Sequence, residues 1–298
     1  MRTSIVRRVG LSVAVAAALT SVAACGGSDS GSESRGGAVT KAEPIAALLA
    51  VQKKTGGANS AKVEGTTTMG TQMTMKQTGS IDWSDGISGT MDITYTGGAM
   101  ADAMKQSGSD GTMQTRYFKD GYAANVGDAF AKQAGGKHWI SYGYEDLAAL
   151  SGASGELMKE QLQNTTPDRG VKALLASGDV KKVGQEDIRG VATTHYSGTV
   201  DVAELTAKNS ELDAAQLAAF KKQLKDSGIT TEKVDIWVDG NDLLVKKTER
   251  GRMKTGELNS TVFYSDYGTK VSVVRPPASD TIDFSEFLQQ QGASGEAS

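Results

Sequence analysis

Between Ser60 and Tyr142 the chain is written almost entirely in a period of two. "SAKVEGTTTMG", "TQMTMKQTGSIDW", "GISGTMDITYTGG", "GTMQTRYFKDGYAANVG" and "KHWISY" are Thr-rich or aromatic and are broken by glycines, so each predicts strand structure. "KDG" at Lys119–Gly121 predicts a hairpin turn, with Gly121 free to take a positive φ. Strands that follow one another through tight turns pair antiparallel. A chain that spends some eighty residues this way is committed to a large antiparallel sheet, which needs something to cover an apolar face.

The covering helices are predicted in clumps. "AEPIAALLAVQKKTG" has Pro44 in its first turn, Ile45, Leu48, Leu49 and Gln52 on one side, and Gly56 as a stop. A helical middle follows over 145–163, interrupted by Gly152 and Gly155, and then 166–177, capped by Thr166, opened by Pro167 and stopped by Gly178. "DVKKVGQEDIRGVATTHYSGTVD" predicts a hairpin turning at Arg189-Gly190, and "DVAELTAK" carries a capping-box pattern from Asp201 to Glu204. "SELDAAQLAAFKKQLKDSG" predicts a helix with Leu217, Phe220 and Leu224 on one face and Gly228 at its end. The last third returns to strands in "EKVDIWVDGNDLLVKKTERG", "GELNSTVFYSDYG" and "TKVSVVRPP". Helices that clump rather than alternate with strands define an α+β fold: a single large curved antiparallel sheet with helices packed over its concave face.

Neither end reads as part of that fold. Arg2, Arg7 and Arg8 precede an apolar run from Val9 to Ala24, which is shorter than the roughly 20 residues that span a bilayer. Basic start, apolar middle and small residues at the exit are the layout of a secretory signal peptide. The run ends on Val22, Ala23, Ala24 and then Cys25, the one cysteine of the chain. That tetrapeptide resembles the bacterial lipobox, which implies a diacylglyceryl group on the Cys25 sulfur, a new N-terminus at its nitrogen, and membrane attachment on the extracytoplasmic face. Two acyl chains give stable anchoring, at about 0.8 kcal/mol for each buried CH₂. The expected organisation is a signal peptide at 1–24, a lipidated cysteine with a Gly/Ser tether at 25–37, a domain at 38–288, and a disordered polar tail at 289–298.

Loss of residues 1–24 removes three arginines and no acid, leaving 29 basic and 35 acidic side chains and a formal charge of −6. With no dense basic cluster, nucleic acid is not expected as a partner. Catalytic chemistry is thinly supplied. There are two histidines, no G-x-S-x-G, no H-E-x-x-H, no calcium loop, no P-loop and no G-x-G-x-x-G after a strand. No enzyme activity, metal or cofactor is expected. His195, in "VATTHYSGTVD", could bond a polar head group or a strand neighbour. Trp139 and Trp237 are read either as pocket lining or as core or sheet-face residues.

The methionines stand out, with 10 Met against 6 Phe. Met69, Met73 and Met75 share parity, so an unbroken strand would put them on one face. Met91, Ile93 and Tyr95 do the same further along. Met is unbranched and adapts to irregular shapes, which suits a surface that accepts flexible chains and equally suits a gap-filling core.

The lipobox, the early helix with its strand run, "VGQEDIRGVATTHYSGTVD", "VDIWVDGNDLLVKK", "STVFYSDYG" and "VVRPPASDTIDF" together resemble the actinobacterial LppX/LprAFG lipoproteins over residues 40–287. The pair formed by Gly190–Tyr196 and Trp237–Asp239 is the most specific part. The resemblance implies a LolA/LolB-like half-barrel capped by helices, with an apolar cavity between that carries lipid in several members. The expected ligand is accordingly a lipid or other apolar molecule, held by a monomer. The residues expected to line the cavity are Met73, Met75, Met91, Ile93, Tyr95, Trp139, Leu174, Tyr196 and Trp237. The alternative expectation is an envelope protein that uses the same scaffold to bind a protein partner.

Overall fold

Alternation becomes a ladder wherever a short turn returns the chain. The computed structural model describes residues 42–132, 134–146, 166–203 and 214–295. Cys25, its lipobox, most of the helix expected over 145–163 and the glutamate of the capping box lie outside them. β1 (Ser60–Met69), β2 (Met73–Asp82), β3 (Ser88–Gly97), β4 (Thr112–Phe118), β5 (Gly121–Asn125) and β6 (Trp139–Gly143) pair each with the next, all antiparallel. β7 (Val180–Ile188), β8 (Val191–Asp201), β9 (Thr231–Val238), β10 (Leu244–Met253) and β11 (Gly256–Ser265) form a second meander. β11 then pairs with β1, so the two meanders make one sheet. With β12 (Thr281–Asp283) it has 12 strands in the order β12-β6-β5-β4-β3-β2-β1-β11-β10-β9-β8-β7 and stays open at both edges. The one departure from antiparallel pairing is β12 against β6.

The hairpin at Arg189-Gly190 is built as the sequence predicts, with φ of 56° and 85° at the two turn residues. At "KDG" the prediction is right about the turn and wrong about its reason. Gly121 does not take a positive φ. It already belongs to β5, and an added Cβ would sit 2.2 Å from the Tyr142 carbonyl oxygen, so the glycine is there for close approach of β6.

The helices lie against one side of the sheet, the inner face. α1 (Ala42–Gly57) buries Leu48, Val51 and Thr55, while Leu49, expected on that stripe, is 42% exposed. The apolar stripe is therefore turned toward Val51. α4 (Pro167–Ser177) starts at the Thr166 N-cap and ends at Gly178 with φ 65°. It buries Val171, Leu174 and Leu175 and packs on α1 and β8. Gly198 of β8 permits that contact, because a Cβ there would lie 2.7 Å from Leu174 Cδ1. α5 (Ala214–Ser227) adds Leu217 and Leu224 to the same core. A smaller cluster of Ala134, Ile140 and Ile282, with Phe130, Phe284 and Phe287, lies at the β6–β12 end. It gathers α3 (Gly127–Ala131) and α6 (Phe284–Gly295). α6 runs into the stretch expected to be a disordered tail. Its Phe284 and Phe287 rings pack at a tilt against Tyr142 and Phe130, and Gln289 to Gln291 continue a helix already nucleated.

Two elements differ from the sequence expectation. α2 (Gly98–Gln106) was not foreseen, because "GAMADAMKQ" has no side-chain cap and a glycine at its N-cap. "TKVSVVRPP" is not a strand. β11 already has partners on both sides, and Pro276 and Pro277 lack the N–H that a ladder needs. The segment instead straps across to the far edge. Arg116 Nη1 donates to the Val274 carbonyl oxygen at 2.9 Å, and Arg275 stacks over Phe118 at 4.4 Å. The strap ends where His138 meets Asp280, with Nδ1 and Oδ1 2.6 Å apart. The Asp280 hydrogen bond raises the His138 pKa above its ordinary 6.5. A raised histidine contributes stability below the unfolded pKa and loses it as pH rises through the folded one. Followed by NMR, the His138 imidazole is expected to titrate above 6.5, and Asp280→Asn should bring it down. An unshifted midpoint in the variant would detach the histidine from the strap.

Candidate functional site

Register decides what each face presents. Met69 and Met73 are paired across the β1–β2 hairpin rather than lying on one strand, yet they still share a face. Met75 faces Thr67 on one side and Tyr95 on the other. Met113 faces Ile93, and Met91 faces Gly79. All of these point to the inner face, the side that carries Val63, Ile81 and the helix contacts.

The expected lining residues divide three ways. Met73, Met75 and Tyr95 are half-buried on the inner face, as are Met69 and Met113, which were not singled out as lining. Met91, Ile93, Leu174 and Tyr196 are buried in the main core. Trp139 and Trp237 lie on the outer face, one residue out of phase with the inward Ile140 and Ile236. Each tryptophan carries a cation: Arg116 Cζ lies 4.4 Å over Trp139, and Lys246 Nζ lies 3.9 Å over Trp237. Trp237 Nε1 also donates to Glu186 at 2.6 Å, and its ring stacks on His195 with centroids 4.3 Å apart. His195 Nε2 in turn lies 2.9 Å from Asp235 Oδ1, so the strand-neighbour reading of this histidine holds. Burial acts to raise the Asp235 carboxyl, but hydrogen bonds from Ser197 and His195 and the Lys233 charge carry it below the ordinary value.

The half-buried methionine patch borders a ladder of phenols. Tyr117 meets Tyr122 at 6.1 Å, Tyr122 stacks on Tyr142 at 4.5 Å, and Tyr142 meets Phe284 at 4.8 Å. Burial pushes Tyr117 up to about 12 and raises Tyr95 and Tyr142 as well, so these rings stay neutral and sit in a poorly hydrated strip.

The inner face also holds charge, which the sequence expectation missed. Glu232, Lys247 and Glu249 share the parity of Val234, Ile236 and Met253 and therefore point inward. Lys247 Nζ donates to Glu249 Oε1 at 2.6 Å, with the two side chains 12% and 24% exposed. α4 presses on this lysine, since a Cβ at Gly170 would come within 2.6 Å of its Cδ. Burial first, then the Glu249 charge, push Glu232 up to about 8, with Lys247 opposing. The folded state then keeps a proton that the unfolded chain releases from about pH 4.5, so this group's contribution falls as pH rises from 4.5 to 8. Glu232→Gln, neutral throughout, is expected to gain on the parent across that window. Equal pH–stability curves for the two proteins would count against a buried carboxyl here. Among the described residues no group of three or more His, Cys, Asp or Glu is placed to hold a metal ion.

On the outer face the tip of the β7–β8 hairpin lies over β11 and β1. Arg189 Cζ stacks 3.6 Å above Phe263, and its guanidinium donates to both Glu64 oxygens at 2.9 and 2.8 Å. Beneath it runs an open groove of about 450 Å³, bordered by Lys62, Thr78, Ser80, Ile188 and Val191.

No model of a known protein family matches the chain. It is 71% identical over 255 residues to an uncharacterized 31.2 kDa protein of Streptomyces griseus, covering 86% of this chain and 84% of that one. It is also 44% identical over 307 residues to SCO4650 of Streptomyces coelicolor, named as a lipoprotein candidate, covering 96% of this chain and 98% of that one. The chain belongs to this Streptomyces lipoprotein family. Among solved structures, LprF from Mycobacterium bovis aligns over 80% of this chain and 98% of its own at a TM-score of 0.48 and 14% identity. LppX from Mycobacterium tuberculosis aligns over 78% and 99% at a TM-score of 0.46 and 16% identity. Both belong to the group that the sequence of this Streptomyces-type lipoprotein resembles.

Proposed function

We propose that this lipoprotein is tethered to the extracytoplasmic face of the cell membrane through a diacylglyceryl group on Cys25. There it holds an acyl chain, or a comparable apolar molecule, against the inner face of its sheet. The observation that carries the reading is the methionine patch of Met69, Met73, Met75 and Met113 with Tyr95. It stays half-buried on the inner face while the adjoining Met91 and Ile93 are packed. Thioether side chains bend to fit an irregular or changing partner. Covering such a patch contributes about 25 cal/mol per Å² before the cost of ordering the ligand.

The test is native mass spectrometry of the full chain carrying Cys25→Ser, which keeps anchor acyl groups out of the count. Extra mass that organic extraction removes, identified as lipid, is the expected result. Met75→Asp, which sets a charge in the strip, is expected to reduce uptake at least tenfold. A bare polypeptide mass, with no uptake when acyl lipids are offered, would turn attention to a protein partner and to the groove under Arg189.

A further inference from the structure

The groove under the β7–β8 hairpin tip has no part in holding an acyl chain on the inner face. Its floor is made of two adjoining cross-strand rows of the outer face. Lys62 pairs with Ser80 in one row, and Glu64 lies between Phe263 and Thr78 in the other. The hairpin tip adds Ile188, Arg189 and Val191 as a wall. The volume of about 450 Å³ falls within the about 300–1,000 Å³ of sites that take small molecules.

The lining is charged but balanced. Lys62 Nζ lies 2.7 Å from Asp266 Oδ2, and both Glu64 oxygens accept from Arg189. An ionic guest of either sign would have to displace a partner already in place. A wholly apolar guest would cover the Thr78 and Ser80 hydroxyls, neither of which makes a hydrogen bond among the described residues, and would leave them unanswered. Apolar surface is nevertheless present, since Val191 is 39% exposed beside the buried Ile188. The complement of such a lining is a neutral molecule with C–H surface on one side and hydroxyls along its edge.

The Arg189–Glu64 pair makes the finer choice. A guanidinium has five N–H donors and a carboxylate about four acceptor positions, and the pair spends two of each on itself. Phe263 holds the guanidinium in place from below, at 3.6 Å. The Arg189 hydrogen bond also lowers the Glu64 carboxyl below its ordinary value, so it is an acceptor at neutral pH. A donor and an acceptor therefore stand side by side in fixed geometry. Two neighbouring hydroxyls answer them, one accepting from Arg189 and the other donating to Glu64.

We infer that this groove binds a neutral sugar unit of a glycan through adjacent hydroxyls, read by Arg189 and Glu64. The sheet stands between the groove and the methionine patch, so the sugar is not the head group of a lipid lying on the inner face. The inference is independent of the acyl site.

The experiment titrates maltotriose, trigalacturonate and the chitosan trimer, which are hexose trimers that differ in charge, into the full chain carrying Cys25→Ser. Binding is followed by NMR of the labelled protein. Maltotriose is expected to give saturable shifts at Ile188–Val191 and Lys62–Glu64, and to bind about tenfold more tightly than either charged trimer. Arg189→Met keeps an unbranched side chain over Phe263 and removes the donors, and should weaken maltotriose about tenfold. This exposed ion pair contributes little to stability, so the variant is expected to fold. A charged trimer binding best, equal affinity for all three, or undiminished maltotriose binding by Arg189→Met would each overturn the assignment. Shifts confined to Met69–Met75 would also overturn it, by placing the sugar on the inner face as a lipid head would be. No shift with any trimer would overturn it too, and return the groove to a protein partner.

Discussion

Replacing Lys247 with alanine is expected to cost about 3–5 kcal/mol of folding stability, the usual penalty for removing one member of a buried ion pair. The lysine is held between α4 and the sheet and offsets two carboxyl groups, Glu249 and Glu232. Without it, Glu249 loses its ion-pair partner and must either stay charged in a poorly hydrated gap or take up a proton. Most of the loss comes from the groups left behind, so removing Glu249 as well, in Lys247→Met with Glu249→Leu, should recover a large part of it. Urea denaturation of the parent, the single variant and the double variant gives the comparison. A single-variant loss below about 1 kcal/mol would mean that water reaches the pair, as it does for exposed ion pairs.

Leu174→Ala is the second large effect, at about 2–5 kcal/mol. Leu174 is 0% exposed and seats α4 against Gly198 of β8. The cavity left by its side chain cannot be filled by the rigid strand below. In a domain of this size the loss corresponds to a fall in Tm on the order of 10 °C. Leu49→Ala is the control. That side chain is 42% exposed on the outer side of α1 and should stay within about 0.5 kcal/mol of the parent. Equal losses for the two leucines would mean that α4 is not seated on the sheet as described.

The legible parts of the fold were those fixed by near neighbours. Arg189-Gly190 specifies its own turn, and Pro167 and Gly178 bracket α4 whatever lies beyond them. What the sequence hid depends on distant partners. Val271, Val273 and Val274 read as strand residues until β11 proves to be flanked on both sides. The outward placement of Trp237 follows from the pairing of His195 with it and of Tyr196 with Ile236, and Asp235, the one polar residue of "VDIWV", shares its parity. The inward charges were hidden for the opposite reason. "KKTER" offers a charge on either face of β10, so only the pairing of Lys247 with Val262 and Ile236 shows which charges are buried. In the candidate site, the methionine parity was readable from the strands, and the polar end was not.

The two edges of the open sheet bear on how such molecules behave when crowded side by side. β7, the long edge, carries Lys181 and Lys182 and breaks register between Lys182 and Gly184, where Val183 stands 57% exposed. At the other edge β12 offers three residues, preceded by the prolines of the strap. Ammonium groups, a bulge and an abrupt end are the features that make a strand a poor template for another copy's backbone. Molecules held at high density can therefore collide edge to edge without polymerising, and a sheet of this width can remain open.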